Sequence, residues 1–264
     1  MNPPLLICWG ERTTQQGGQS RGKETLNHAA KEMKRLMGKA IHSRNMIEEG
    51  DHVLVAVSGG KDSLSLLWLL RERLKRVPIT YKITAVHVDL GFGTNSGDQI
   101  TAFLSTHGFD HRIIRTEIGP KAHGPENREN PCFLCSRLRR KALFELAAEM
   151  GCNKMAFGHH KDDLIETFFL NIFYGASIST MLPVQTFFKG KLTVIRPFYM
   201  IDWAWIQRYA KAMAWPEIDL GCPTAGASRR EDIKNMLNHF YRGNKKIKGN
   251  IFHALHNVKP EYLL

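Results

Sequence analysis

Val53-Leu54-Val55-Ala56-Val57-Ser58-Gly59-Gly60-Lys61-Asp62-Ser63 is the stretch that decides the fold. Its first five residues form an unbroken apolar, β-branched-rich run, the composition of a strand buried on both faces of a parallel sheet. The glycines that follow let backbone N–H groups approach phosphate oxygens, and a helix expected from Leu64 turns its positive end to the same spot. Strand, glycine turn and helix N-terminus together make an anion cradle. A Walker A loop needs Gly, four residues, then Gly-Lys-Ser/Thr; no such string occurs, which disfavours the usual cleavage of the outer phosphate.

Working outward, strands are expected at residues 83–88, 112–115, 154–157 and 193–196, alternating with helical patterns at 64–73, 97–107, 137–150 and 164–173. That alternation predicts an α/β, doubly wound parallel sheet whose ligands gather at the strand ends near residues 57, 88 and 157. Residues 1–23 are polar and Gly-rich, expected as a disordered leader that sets Cys8 aside. Residues 24–50 read as a basic amphipathic helix, with Ala30, Met33, Met37 and Ile41 spaced along one face and Lys31, Lys34, Arg35 and Lys39 between them. Residues 51–200 then form the nucleotide-binding domain, and 201–264 a mainly helical C-terminal region with helices at 203–214, 229–239 and 246–256.

The 264 residues carry 37 Lys and Arg against 25 Asp and Glu, a formal charge of +12 that fits a phosphate-rich partner such as nucleic acid. Five cysteines are an odd, sparse set in a chain too large to need disulfide staples, which predicts a reducing compartment. No stretch approaches the roughly 18 apolar residues of a membrane span, and Leu5–Trp9 is too short for a signal-peptide core, so a cytoplasmic protein is expected.

Three further strings carry chemistry. Gly91-Phe92-Gly93, with Gly97 beyond, has the wrong spacing for a dinucleotide fingerprint and reads as a loop beside the crevice, with His87 and Asp89 as adenosine, metal or structural neighbours. Gly158-His159-His160-Lys161-Asp162-Asp163 follows another strand and sets imidazoles and carboxylates at its end, where carboxylates hold Mg²⁺ against phosphates or cap the next helix. Cys132-Phe133-Leu134-Cys135 places two thiols one turn apart, and Cys222 joins them if the C-terminal region folds back over the crevice. Three thiolates with one open position suit an iron–sulfur cluster; zinc completed by His123 and a metal-free thiol pair stay open as alternatives. Cys152 reads as a small buried hydrophobe.

The 58–63 loop resembles the PP-loop of the ATP pyrophosphatase superfamily, and the 158–163 string resembles the second motif of PP-loop enzymes that modify tRNA. Together with Cys132-Phe133-Leu134-Cys135-Ser136-Arg137-Leu138-Arg139-Arg140, Asn171-Ile172-Phe173-Tyr174-Gly175 and Cys222, they make residues 24–264 similar to the tRNA 2-thiocytidine biosynthesis (TtcA) family. The resemblance implies ATP- and Mg²⁺-dependent thiolation of cytidine 32 in the anticodon loop, a [4Fe–4S] cluster, a cysteine desulfurase or other sulfide donor, and a homodimer. It implies that Ser58, Gly59, Gly60, Lys61, Asp62 and Ser63 hold pyrophosphate, with Gly158 and His160 beside the nucleotide. Cys132, Cys135 and Cys222 become cluster ligands, Asp162 a metal neighbour, and Asp62, Asp162 and the two helix cysteines the catalytic set. Arg137, Arg139 and Arg140 are expected on tRNA phosphates. One departure stands out: the family often has a cysteine three residues before the third ligand, where this chain has Asp219. A lysidine synthetase, a 2-thiouridine enzyme and a non-catalytic metal-containing tRNA-binding protein are the competing expectations.

Overall fold

A computed structural model describes residues 16–226 and 228–262, so the first fifteen residues of the expected leader, with Cys8, lie outside the described residues. Six strands make one sheet: β1 His52–Ala56, β2 Lys82–Asp89, β3 His111–Arg115, β4 Lys154–Ala156, β5 Val184–Phe187 and β6 Leu192–Ile195. Their order is β3-β2-β1-β4-β6-β5, parallel throughout except for β5, which runs antiparallel to β6. The five expected strands are present within a residue or so. β5 was not expected: it is a four-residue edge strand joined to β6 through a tight turn with positive φ at Phe188, Lys189 and Gly190, too short to show a period of two.

Nine helices are described: α1 Gln16–Ser43, α2 Lys61–Leu74, α3 Ser96–Thr106, α4 Ile118–His123, α5 Pro131–Glu149, α6 Lys161–Gly175, α7 Trp203–Ala212, α8 Arg229–Gly243 and α9 Ile247–Ala254. Residues 16–23, expected to be disordered, are the first two turns of α1. One face of the sheet packs under α1, α2 and α7 through Met33, Met37, Leu66, Leu70, Ile206 and Tyr209. On the other face Leu54, Val86, Val88 and Met155 meet Leu143 and Ala147 of α5, with Cys152 buried among them. A smaller core of Ile165, Ile233 and Leu237 fastens α8 to α6. Thus α7, grouped in the sequence with the C-terminal region, belongs to the main core, because Ile206, Tyr209 and Ala210 recur at helical spacing and bury against α1.

Helix α5 starts six residues earlier than its apolar pattern shows. Asn130 caps it, its Oδ1 accepting from Cys132 N at 3.0 Å and Phe133 N at 3.3 Å, and Pro131 takes the first turn, where its missing N–H costs nothing. Both cysteines of the CxxC string therefore ride on the opening turns of a helix.

Candidate active site

The loop after β1 is built as the sequence requires. Gly59 sits at φ +84°, and a Cβ there would come within 3.2 Å of Ile100 and 3.3 Å of Ile218. Ser63 Oγ accepts from Ser58 N at 3.1 Å and donates to Gly60 O at 2.9 Å, closing the turn on itself. No side chain caps the N-terminus of α2, so its first N–H groups point free at the crevice, as an anion site needs. Lys61 instead reaches out to Glu217 at 3.2 Å, an exposed pair that contributes little to stability.

The loop after β4 packs directly on this cradle. A Cβ on Gly158 would stand 3.0 Å from the carbonyl carbon of Asp62 and 3.1 Å from its oxygen, which is why glycine is needed there. His160 is buried; its Nε2 lies 3.4 Å from Asp163 and 3.9 Å from Asp62, its Nδ1 3.6 Å from Asp162. Burial alone would lower its pKa, but the carboxylates packed around it, Asp162, Asp163 and Asp62, raise it. Burial pushes the Asp62 carboxyl up to about 6, and its Oδ1 is buried with no hydrogen-bond partner. Asp162 goes the other way. Despite burial it is held well below the usual carboxylate range by His160 and by Lys248, whose Nζ is 2.5 Å from Oδ1, while Oδ2 accepts from Trp203 N at 2.9 Å. Both Asp162 oxygens, expected on a metal, are thus spent on fastening α9 and the start of α7. Asp163 accepts from His160 N at 2.9 Å and meets Arg230 at 3.4 Å, and Arg230 also reaches Glu166 at 3.1 Å and Thr167 at 3.1 Å.

Between these loops lies a crevice lined by Val57, Ser58, Asp62, His87, Arg139, Gly158, His159 and Leu220. It therefore draws on β1, β2, β4, α5 and the segment after α7, at the strand ends where the sequence placed it. His87 Nδ1 bonds the Val57 carbonyl at 2.8 Å, and burial lowers its pKa. Asp89 is structural: its Oδ1 accepts from Gly91 N at 3.0 Å, and it packs against Gly97 at the start of α3.

The segment after α7 does fold back. Trp215 Nε1 donates to Ser65 Oγ of α2 at 3.0 Å, Ile218 touches Gly59, and Leu220 lines the crevice. Gly221, at φ +66°, is pressed by Thr94 and Phe92 so closely that a Cβ would lie 2.6 Å from Thr94 Cγ2. The second glycine string accordingly buttresses the turn that carries Cys222. Cys222 Sγ and Cys132 Sγ each lie 3.5 Å from one hydroxyl, Thr224 Oγ1. Burial raises the Cys135 pKa, and the neighbouring Cys222 and Cys132 raise it further while Arg139 opposes them. The three cysteines are neighbours, although among the described residues no three His, Cys, Asp or Glu side chains stand close enough to hold one ion.

The arginines of α5 do not act as one face. Arg137 and Arg140 are exposed, Arg137 pairing with Glu129 at 3.1 Å, whereas Arg139 turns inward to line the crevice. Residues that sequence reasoning missed are Thr224, Arg230 and Lys248; His123, weighed there as a zinc ligand, lies in an unanticipated short helix with its Nε2 3.2 Å from Thr224 Oγ1. Only tertiary packing brings Arg230 and Lys248 to the carboxylates, and no local pattern signals it. A Thr two residues after Cys222 was visible but silent.

Comparison with known proteins gives one answer at two depths. The PP-loop domain family matches residues 25–217. The tRNA-cytidine(32) 2-sulfurtransferase of Syntrophotalea carbinolica is 39% identical across 89% of this chain and 92% of its own, and that of Alkalilimnicola ehrlichii 40% identical across 88% and 75%. Among solved structures, the U34-tRNA thiolase NcsA from Methanococcus maripaludis, determined with its [4Fe–4S] cluster, superposes with a TM-score of 0.73 at 24% identity, covering 90% of this chain and 81% of that one. This last likeness speaks to fold.

Proposed function

The chain belongs to the PP-loop family of tRNA-cytidine(32) 2-sulfurtransferases, and on that premise we propose that it activates the C2 oxygen of cytidine 32 with ATP in the crevice and replaces it with sulfur at Cys132, Cys135 and Cys222. The observation that carries the reading is the returning segment. It covers the nucleotide loop with Ile218 and Leu220 and delivers Cys222 to the start of α5, so one site faces both halves of the reaction.

The uncapped N–H groups of α2 and the 58–63 loop hold the leaving pyrophosphate. The C2 oxygen attacks the α-phosphorus and the bond to pyrophosphate breaks; sulfide then attacks C2 and the C2–O bond breaks, so AMP leaves with the former carbonyl oxygen. A pyrimidine carbonyl oxygen is a poor leaving group until esterified, and the enclosing segment keeps water from the activated carbon. Arg139, inside the crevice, offsets the charge that develops on the phosphate. Asp62 suits Mg²⁺: its Oδ1 is buried with no hydrogen-bond partner, and Mg²⁺ needs one or two carboxylates beside substrate phosphates. That ion would neutralise the phosphates. The three cysteines would suit a [4Fe–4S] cluster, since they are neighbours, and three protein thiolates would leave a fourth position of such a cluster for sulfide.

The odd, sparse cysteine set suits a reducing compartment such as the cytoplasm, with a cysteine desulfurase or another sulfide source supplying sulfur. Among the described residues no helix is long and apolar enough to cross a membrane. Exposed Phe173, Tyr174, Ile178, Leu182 and Phe188 at the end of α6 and around β5 form an apolar surface suited to a second copy of the chain.

The reading is tested by ATP turnover: AMP and pyrophosphate form in proportion to unmodified tRNA, and ADP formation instead would refute it. Arg137→Ala with Arg140→Ala lowers tRNA affinity about tenfold at moderate salt and flattens its salt dependence, measured by binding at several salt concentrations. Arg139→Ala leaves that slope alone and slows AMP formation.

A further inference from the structure

Beside the cysteines stands a hydroxyl that neither the nucleotide chemistry nor the ligand set uses. Thr224 is half-buried in the turn closed by Ala225 N donating to Cys222 O at 3.1 Å. Its Oγ1 touches three partners: Cys132 Sγ at 3.5 Å, Cys222 Sγ at 3.5 Å and His123 Nε2 at 3.2 Å. The hydrogens can be assigned. His123 Nδ1 lies 3.1 Å from the Gly119 carbonyl, which only accepts, so Nδ1 carries the proton and Nε2 is the acceptor in the neutral ring. Thr224 therefore donates its one hydrogen to His123, and its two lone pairs are left to face Cys132 and Cys222, whose S–H groups donate to it. His123 is itself fixed, its ring edge-on to Phe92 at 5.3 Å, and Phe92 belongs to the loop that presses on Gly221.

We propose that Thr224 is a positioning residue of the three-cysteine site, its hydroxyl gathering the Cys132 and Cys222 sulfurs of two distant segments before any metal arrives. The inference rests on the three-cysteine reading given above. Without the hydroxyl, the turn that bears Cys222 meets α5 with no polar link between the two sulfurs, and each metal-binding event must then assemble the site. Outer-shell partners that orient ligands in this way typically change metal affinity by about 10–100-fold when removed.

The test is an anaerobic titration of metal-free protein with Fe²⁺ in the presence of sulfide, followed by the sulfur-to-iron absorption band of the assembled cluster, for the wild type, Thr224→Val and Thr224→Ser. Thr224→Val keeps shape and removes the hydroxyl; Thr224→Ser restores it. Expected are binding about tenfold or more weaker for the valine variant, recovery to near wild type for serine, and equal melting temperatures for all three. Wild-type affinity in the valine variant overturns the proposal. Equal weakening in both variants overturns it too, by showing that the methyl group and not the hydroxyl matters. No sulfur-to-iron band in the wild type would instead remove the three-cysteine reading on which the proposal stands.

Discussion

Cys222→Ser protein, purified without air, will lack iron and sulfide and will form no thionucleoside, yet will still bind ATP. A serine hydroxyl is a hard, protonated ligand and does not replace a thiolate on iron. Nothing nearby can substitute: Cys152 is buried in the core beyond the far end of α5, with its pKa pushed up to about 11 by burial. The nucleotide loop is untouched, because the returning segment is held independently by Trp215 on Ser65 and by Ile218 on Gly59. The expected loss of product is at least about 100-fold, at the upper end of what disturbing a metal site costs. Iron and sulfide retained at wild-type levels would show that Cys222 is no ligand, and would shift the third position to another group.

Gly158→Ala will cost roughly tenfold in tRNA-dependent AMP formation, because the new methyl group presses on main chain. Its closest neighbours, at 3.0 and 3.1 Å, are the main chain of Asp62 and that residue's own Cβ, none of which can swing aside. The loop carrying His159 and His160 must then shift by a few tenths of an ångström against the pyrophosphate cradle, and since misplacement on the order of 1 Å at a reacting site costs about 100-fold, roughly tenfold is expected. Overpacking adds about 1–3 kcal/mol of destabilisation. Gly243→Ala is the control, since a Cβ there meets nothing within 4 Å, and should turn over ATP at the wild-type rate.

Much of this was legible in the chain. A buried parallel strand announces itself through residues 53–57, and glycines that must admit phosphate announce the loop after it, since both are local demands on composition. The cysteines were visible as types, but their meeting depended on a segment nearly ninety residues away in sequence folding back, which only packing on Ser65, Gly59 and Thr94 decides. The edge strand β5 escaped because four residues cannot display a period. Asp162 is the instructive case. Its place at a strand end suggested a metal, yet Lys248 and the Trp203 N–H already occupy its oxygens, leaving Asp62 as the carboxylate with an oxygen to spare. Charge partners contributed from remote helices leave no trace in the local pattern. Arg139 shows the same limit: three arginines in four residues looked like one basic face, but a helix turns about 100° per residue and directs the middle one into the crevice.

The central claim is that this site converts cytidine to 2-thiocytidine, and the direct measurement is mass spectrometry of tRNA nucleosides from a strain lacking the gene, with the wild-type or the Cys222→Ser chain returned on a plasmid. The account predicts that 2-thiocytidine disappears on deletion, returns with the wild-type chain and stays absent with the variant. A deletion strain that keeps its 2-thiocytidine, or that loses a thiouridine in its place, would contradict it.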